Sequence, residues 1–399
     1  MEYKFSDKLT ALKPSAIREI FKSLADPEII SFAAGNPSPL SFPVDELSKL
    51  AADIFADDST NALQYSVTEG YIPFRKDVVS RLRSKFGIDA DIDNTIIVSG
   101  GQQAIELACK ALCNEGDNVI CEDPSFIGGL NAFRSNGANT VGLKLEEDGA
   151  DPAELDRLLT ETPNVKLIYL IPTFQNPAGI TTSLEKRKGL YDVAVKHQVM
   201  IFEDNPYGEL RFSGEEVPTM KSFDTEGIVI YASTFSKILS SGMRVGYVTA
   251  PQPVIQKMVV AKQSEDVHTN IFFQMLCHRF IEQYDLDAHI AGIRKLYHDK
   301  CELMLKTLDE YMPKEVTYTR PEGGLFLWGT LPEGINEKEF VQRALKKKVA
   351  VVPGETFNCD TTASSQSFRM NYSTPSDEEI VTGVKALAET AREMLAELK

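Results

Sequence analysis

From about residue 90 the chain alternates short apolar runs with stretches of helical periodicity. Thr95-Ile96-Ile97-Val98 reads as a buried strand, and Ala104, Leu107, Ala108 and Ala111 then fall on one face of a helix over Gly101–Leu112. Further apolar runs predict strands at Asn118–Cys121, Lys166–Ile171, Val199–Glu203, Ile228–Ala232 and Arg244–Thr249. Helical patterns lie between most of them, and two more helices are expected over Gln252–Glu265 and Ile271–Gln283. Nearly continuous apolar strands separated by helices imply an α/β fold, a mostly parallel sheet covered on both faces.

A long helical pattern over Asp287–Tyr311 leads into different material. Val316–Thr319, Gly324–Gly329, Val349–Val352 and Ser367–Tyr372 read as strands of a second, smaller sheet, with helices over Asn336–Lys348 and Asp377–Leu398 to cover it. The polar, Pro- and Gly-containing stretch 32–45 falls outside the large unit. A large domain at 46–285 is therefore expected beside a small α+β domain at 286–399, to which the arm 1–45 contributes.

Composition narrows the picture only a little. A chain of 399 residues with 43% hydrophobic and 25% charged residues is an ordinary globular protein of two or three structural units. A net charge of −16 argues against partners rich in phosphate, both nucleic acid and anionic membrane. The polar start Met1-Glu2-Tyr3-Lys4-Phe5-Ser6-Asp7-Lys8 is unlike a signal peptide, and no run approaches the length of a membrane span, so a cytoplasmic home is expected. The six cysteines form no CxxC pair and the five histidines no HExxH, so no metal site is expected. Cys109 and Cys113 share a helix face as small apolar residues.

Candidate chemistry gathers at the ends of the strands, where open α/β sheets bind ligands. After Val98 comes Ser99-Gly100-Gly101-Gln102-Gln103, a glycine turn opening a helix, whose free N–H groups suit a phosphate. After Cys121, Phe126 in Asp123-Pro124-Ser125-Phe126 offers a ring to a flat heterocycle or, more commonly, to the core. The turn-rich Pro172–Gly179 presents the amide of Asn176, and Glu203-Asp204-Asn205-Pro206-Tyr207 puts a carboxylate and a phenol beyond an apolar strand. A buried carboxylate there needs a cation or a donor. Thr234-Phe235-Ser236-Lys237, with Gly242 and Arg244 downstream, adds an amine, two hydroxyls and a guanidinium fork. Together these groups suit pyridoxal 5′-phosphate: an amine for its aldehyde, an anion for its ring nitrogen and cations for its phosphate.

At these residues the chain resembles the fold-type I pyridoxal-phosphate aminotransferases of class I/II, in the subgroup of 2-aminoadipate, kynurenine and broad-specificity enzymes. The resemblance runs from about Ser15 to Leu395. It is carried by Ser31-Phe32-Ala33-Ala34-Gly35-Asn36-Pro37, Leu63-Gln64-Tyr65 with Glu69-Gly70, Thr234-Phe235-Ser236-Lys237 with Arg244, and Ser367-Phe368-Arg369-Met370-Asn371-Tyr372. It implies a large domain with a seven-stranded-type sheet. It makes Lys237 the Schiff-base lysine and proton carrier, Asp204 the partner of the pyridine nitrogen, and Asn176 and Tyr207 the contacts to the phenolic oxygen. Gly101, Gln102, Thr234, Ser236 and Arg244 would hold the phosphate, with Tyr65 reaching in from the other subunit of a homodimer. Phe126 would stack on the ring, where many relatives carry tyrosine. Gly35 and Arg369 would meet the substrate, Arg369 gripping its α-carboxylate, and Arg18 would read an acidic side chain.

The activity so implied moves an amino group from an amino acid to a 2-oxo acid, 2-oxoglutarate by family habit, in a ping-pong sequence. Two alternatives share the fold. A C–S or β-lyase could use the same cofactor contacts, and a non-catalytic effector-sensing domain occurs fused to a DNA-binding helix-turn-helix region. The family-like segment beginning near Ser15, and the acidic charge, argue against the second.

Overall fold

The computed structural model describes residues 3–10 and 26–398. Its centre is an eight-stranded sheet built from β2 (Thr95–Val98), β3 (Asn118–Asp123), β4 (Asn139–Glu146), β5 (Gly149–Ala150), β6 (Val165–Leu170), β7 (Met200–Asp204), β8 (Val229–Thr234) and β9 (Gly246–Thr249), in the order β2-β9-β8-β7-β6-β3-β4-β5. The neighbours β4, β3, β6, β7 and β8 run parallel. β9 is antiparallel to both β8 and β2, which gives β2 the direction of the parallel set. The carboxyl ends of β2, β3, β6, β7 and β8 therefore share one edge. The start of β9 joins them there, because Gly246 pairs with both Thr234 and Val98.

β2 and β8 are buried along their whole length, as their unbroken apolar runs foretold. The helix Gly101–Leu112 buries Ala104, Ile105, Leu107, Ala108 and Cys109 against the sheet. Each larger apolar side chain so covered contributes about 1.5–3 kcal/mol. Helices Gln252–Glu265 and Ile271–Gln283 occupy the predicted residues, the latter capped by the Asn270 side chain on Phe273 N–H.

A four-stranded antiparallel sheet joins β10 (Thr317–Tyr318), β11 (Phe326–Thr330), β14 (Ser367–Asn371) and β13 (Val352–Pro353) in that order. β1 (Ile30–Ser31) pairs in parallel with β12 (Val349–Ala350), which lays the segment after β1 beside this sheet. One apolar cluster is continuous from Phe32 through Phe74, Tyr207 and Phe326 to Met394, so both sheets share a core.

Three expectations are corrected. The run Arg244–Thr249 is not strand throughout: Arg244 has φ 55°, a left-handed turn, and the strand starts at Gly246. That turn sends the guanidinium back over the sheet edge. Val349–Val352 divides into two strands in two sheets. The large sheet has eight strands, because β4 and its two-residue hairpin partner β5 form an edge with mixed polarity that the apolar-run criterion passes over.

Candidate active site

The shared strand edge collects the expected groups. Lys237 follows β8, and its Nζ donates to the carbonyl of Gly35 at 2.9 Å and lies 6.0 Å from the Tyr207 ring centroid. Burial pushes its pKa down to about 8, and the Arg244 and Arg369 guanidiniums push in the same direction. A lysine so placed is partly neutral near pH 8, the state in which an amine takes up a proton or attacks a carbonyl.

Asp204 ends β7 and is 4% exposed. Its Oδ2 accepts a 2.7 Å hydrogen bond from the Tyr169 hydroxyl, and among the described residues no cation pairs with it. Burial lifts its pKa to about 7, with the Tyr169 bond opposing. A carboxylate buried against one hydroxyl is costly unless a positive group arrives.

Asn176 and Tyr207 meet, the amide Nδ2 donating to the phenol oxygen at 3.4 Å. The amide's Oδ1 accepts from Arg369 Nη1 at 2.8 Å. Arg369, on β14, is 3% exposed and donates through Nη2 to the Ala33 carbonyl at 2.9 Å. Its guanidinium lies over the rings of Phe326 and Phe357, at 4.2 and 5.0 Å, and among the described residues its Nε has no partner. Burial brings its pKa down to about 10. This is a desolvated cation awaiting an anion. Gly35 is against it, since a Cβ there would lie 3.5 Å from Phe326 and 4.0 Å from Arg369 Nη2.

The opposite side of the edge gathers hydrogen-bond donors of the kind that suit an anion. The helix Gly101–Leu112 begins there, and among the described residues the N–H groups of Gly101 and Gln102 have no backbone partner. Gly100 has φ 80°, and a Cβ on it would strike the Arg244 guanidinium, so the turn needs glycine. Arg244 Nη1 donates to Ser236 Oγ at 3.2 Å and its Nη2 to the Ser99 carbonyl at 3.3 Å. Thr234 turns inward, within 2.8 Å of Ser236 Oγ and 3.0 Å of the Val245 carbonyl, so it orients Ser236. The side chain of Gln102 reaches the Gly128 carbonyl at 2.8 Å, beside the Phe126 ring, which a Cβ on Gly128 would strike.

A model of the class I and II aminotransferases matches residues 27–387. The chain belongs to that family. The aminotransferase is 40% identical over 396 residues to an aromatic-amino-acid aminotransferase of Thermococcus litoralis, across 98% of this chain and 95% of that one. It is 37% identical to a 2-aminoadipate transaminase of Thermus thermophilus, across 96% of each. It superposes with a TM-score of 0.94 on a Pyrococcus horikoshii kynurenine aminotransferase solved in complex with PMP, at 39% identity over 99% of this chain and 98% of that one. The fold is that of the fold-type I pyridoxal-phosphate enzymes, and the family's cofactor is pyridoxal 5′-phosphate.

The donor set of this aminotransferase fits that cofactor. Among the described residues Asp204 has no cation partner, which a protonated ring nitrogen would suit, and Gly101, Gln102, Ser236 and Arg244 offer donors with no carboxylate among them, which a phosphate would suit. One residue expected at the site stands apart from the cluster. Tyr65 is 81% exposed, its ring edge-on to His268 at 5.9 Å. Arg18 lies outside the described residues. Three further residues touch the expected ones without having been singled out in the sequence: Tyr169 on Asp204, and Phe326 and Phe357 on Arg369. Tyr169 left a signal, a phenol in an otherwise apolar buried strand, which must find a partner for its hydroxyl.

Proposed function

We propose that this aminotransferase takes the α-amino group from an amino acid and passes it to a 2-oxo acid, 2-oxoglutarate, in a ping-pong sequence of two half-reactions. The observation that carries the proposal is the meeting at Gly35 of a buried lysine amine and a buried arginine that has no carboxylate partner among the described residues. Lys237 can move a proton while Arg369 fixes the carboxylate of the molecule that loses it.

Bound at Lys237, pyridoxal 5′-phosphate supplies an aldehyde to carry nitrogen and a ring to accept electrons. Everything else is done by the chain. Arg369 donates to the α-carboxylate, a bidentate match worth more in this buried setting than at a surface. The rings of Phe326 and Phe357 lie against its guanidinium, and Asn176 fixes its rotation through Oδ1. Asp204 would hold positive charge at the ring nitrogen, with Tyr169 holding Asp204. Tyr207 and Asn176 would offer O–H and N–H donors to the ring oxygen, and Phe126 would supply a ring to stack on the heterocycle. Lys237 Nζ takes the α-proton and returns it. When its amine is free, the Gly35 carbonyl accepts its N–H, as seen here.

The donor reading follows the relatives: aromatic amino acids and 2-aminoadipate, with Arg18 meeting an acidic side chain. The chain is taken to work as a cytoplasmic homodimer with Tyr65 completing the partner's site. In support, Phe55, Leu63, Tyr65, Val67 and Ile72 are exposed within one short segment, and all six cysteines are free thiols. Among the described residues no helix is long and apolar enough to cross a membrane. The division into a large unit at 46–285 and a small one at 286–399 with the arm 1–45 is proposed on the separation of the two sheets.

A panel of amino donors, mixed with holoenzyme without acceptor, tests the reading. A stoichiometric change in cofactor absorbance for aromatic or acidic donors, absent in Lys237→Ala, is expected. Pyruvate and ammonia released from a β-substituted amino acid without an acceptor would replace the transaminase reading by a lyase one.

A further inference from the structure

Lys262 has no part in the chemistry described so far, yet it is 0% exposed, and a buried lysine needs a reason. Its ammonium donates to Gln103 Oε1 at 2.7 Å, to both Asp266 oxygens at 2.9 Å and to Thr269 Oγ1 at 2.9 Å. The same three acceptor residues converge on Ser99. Gln103 Oε1 accepts from the Ser99 N–H at 2.7 Å, Asp266 Oδ2 accepts from the Ser99 hydroxyl at 2.7 Å, and Thr269 Oγ1 lies 3.1 Å from that hydroxyl. The remaining polar group of Ser99, its carbonyl, accepts from Arg244. Every hydrogen-bonding group of the residue before Gly100-Gly101-Gln102 is thus held.

The turn that carries Asp266 to Thr269 is itself constrained. Val267 has φ 65°, a left-handed conformation that β-branched residues rarely adopt. A lysine ammonium has donors only, so it is satisfied only when Gln103, Asp266 and Thr269 are all in place. Glycines such as Gly100 and Gly101 carry the largest backbone freedom, and a turn meant to close on a dianion gains by having its root fixed.

We propose that Lys262 and Asp266 are positioning residues for the phosphate cradle, acting through Ser99. The proposal rests on the reading of Gly101, Gln102, Ser236 and Arg244 as that cradle. Neither residue touches the phosphate. They set where the N–H groups of the helix start and the Arg244 fork converge.

The test compares two ligands that differ only in the phosphate. The full chain, stripped of cofactor, is titrated with pyridoxal 5′-phosphate and separately with pyridoxal, following the absorbance that appears on combination with Lys237. Ser99→Ala leaves the Lys262–Asp266 pair intact and removes the coupling hydroxyl, so it keeps the question answerable if Lys262→Met fails to fold in a thermal melt. Ser99→Ala, Lys262→Met and Asp266→Asn are each expected to weaken pyridoxal 5′-phosphate roughly tenfold, the loss of one hydrogen bond to a charged group, and to leave pyridoxal within about twofold. Ser99→Thr, which keeps the hydroxyl, is expected to bind both like wild type. Equal weakening of both ligands, or an unchanged ratio in Ser99→Ala, overturns the proposal. Arg244→Ala separates the two layers of the argument. If it lowers the ratio and the network variants do not, the cradle stands and the positioning role falls; if it too leaves the ratio unchanged, the cradle reading falls with it.

Discussion

Arg369 Nη1 donates to Asn176 Oδ1 at 2.8 Å, although the residues are 193 positions apart and belong to different sheets' surroundings. The bond gives the arginine one fixed donor, while among the described residues its Nε has no partner.

Replacing Arg369 by Lys keeps the charge and loses the fork. The expected result is a kcat/KM lower by about two orders of magnitude for every donor and acceptor alike, the scale of a lost bidentate ion contact at roughly 2–3 kcal/mol. Steady-state kinetics on three or more substrates checks this. A loss confined to one substrate would move Arg369 from carboxylate recognition to side-chain selection.

Asp204 gives a prediction about stability in which cofactor reverses the sign. Its folded pKa of about 7 lies above the ordinary 3.8, so between those values the folded chain holds the extra proton. Stability of the cofactor-free protein relative to Asp204→Asn therefore falls as pH rises through that window. The two proteins should melt together near pH 4 and differ near pH 8 in favour of Asn, by at most on the order of 4 kcal/mol. With pyridoxal 5′-phosphate bound the order is expected to invert, because the ring nitrogen provides the missing cation. Melting curves with and without cofactor decide it.

Tyr169→Phe tests the residue behind that carboxylate. Losing its hydroxyl removes about 1–3 kcal/mol of support for a buried charge. The midpoint of the pH effect in the cofactor-free protein should move upward, with cofactor affinity lower by roughly tenfold. An unmoved midpoint would make the 2.7 Å contact a packing coincidence.

Much of this was legible beforehand because the large sheet is built on apolar runs that mean one thing physically. A four-residue strand such as Thr95–Val98, buried on both faces, leaves no polar alternation to misread. Chemistry stands out beyond such strands, as Lys237, Asp204 and Asn176 do, because polar residues there have no core to join. Opposite conditions hid β4, which lies next to the edge strand β5 and whose Asn139–Glu146 mixes exposed and half-buried positions. Lys262 was hidden for another reason. A lysine in a helix of mixed polarity reads as solvated, and only the fold shows it bonded to the residues that hold Ser99. Left-handed Arg244 was unreadable too, since the conformation of a single residue leaves no pattern.

Lys237 carries a pH prediction of the opposite sense. Its folded pKa of about 8 lies below the ordinary 10.5, so the unfolded chain holds the extra proton between those values. The penalty of burying the charge is full below about pH 8 and is relieved as pH rises toward 10.5. Cofactor-free Lys237→Met should therefore be more stable than wild type at pH 7, with a gap that narrows steadily above pH 8. A gap that does not change with pH would show the amine to be solvated, and the argument for a partly neutral base would fail.

Tyr65 allows the proposed dimer to be tested through cofactor binding alone. Its side chain is 81% exposed, and among the described residues its hydroxyl has no partner. If it completes the neighbour's phosphate cradle, a hybrid of one Tyr65→Ala subunit and one Lys237→Ala subunit contains one intact site and one doubly defective site. The intact site joins the lysine of the first subunit to the tyrosine of the second. Such hybrids, separated by differential tags, should bind one pyridoxal 5′-phosphate per dimer with wild-type affinity. If Tyr65 instead serves its own subunit, every site in the hybrid lacks either the lysine or the tyrosine. No site would then reach wild-type affinity, and titration of the purified hybrid tells the two arrangements apart.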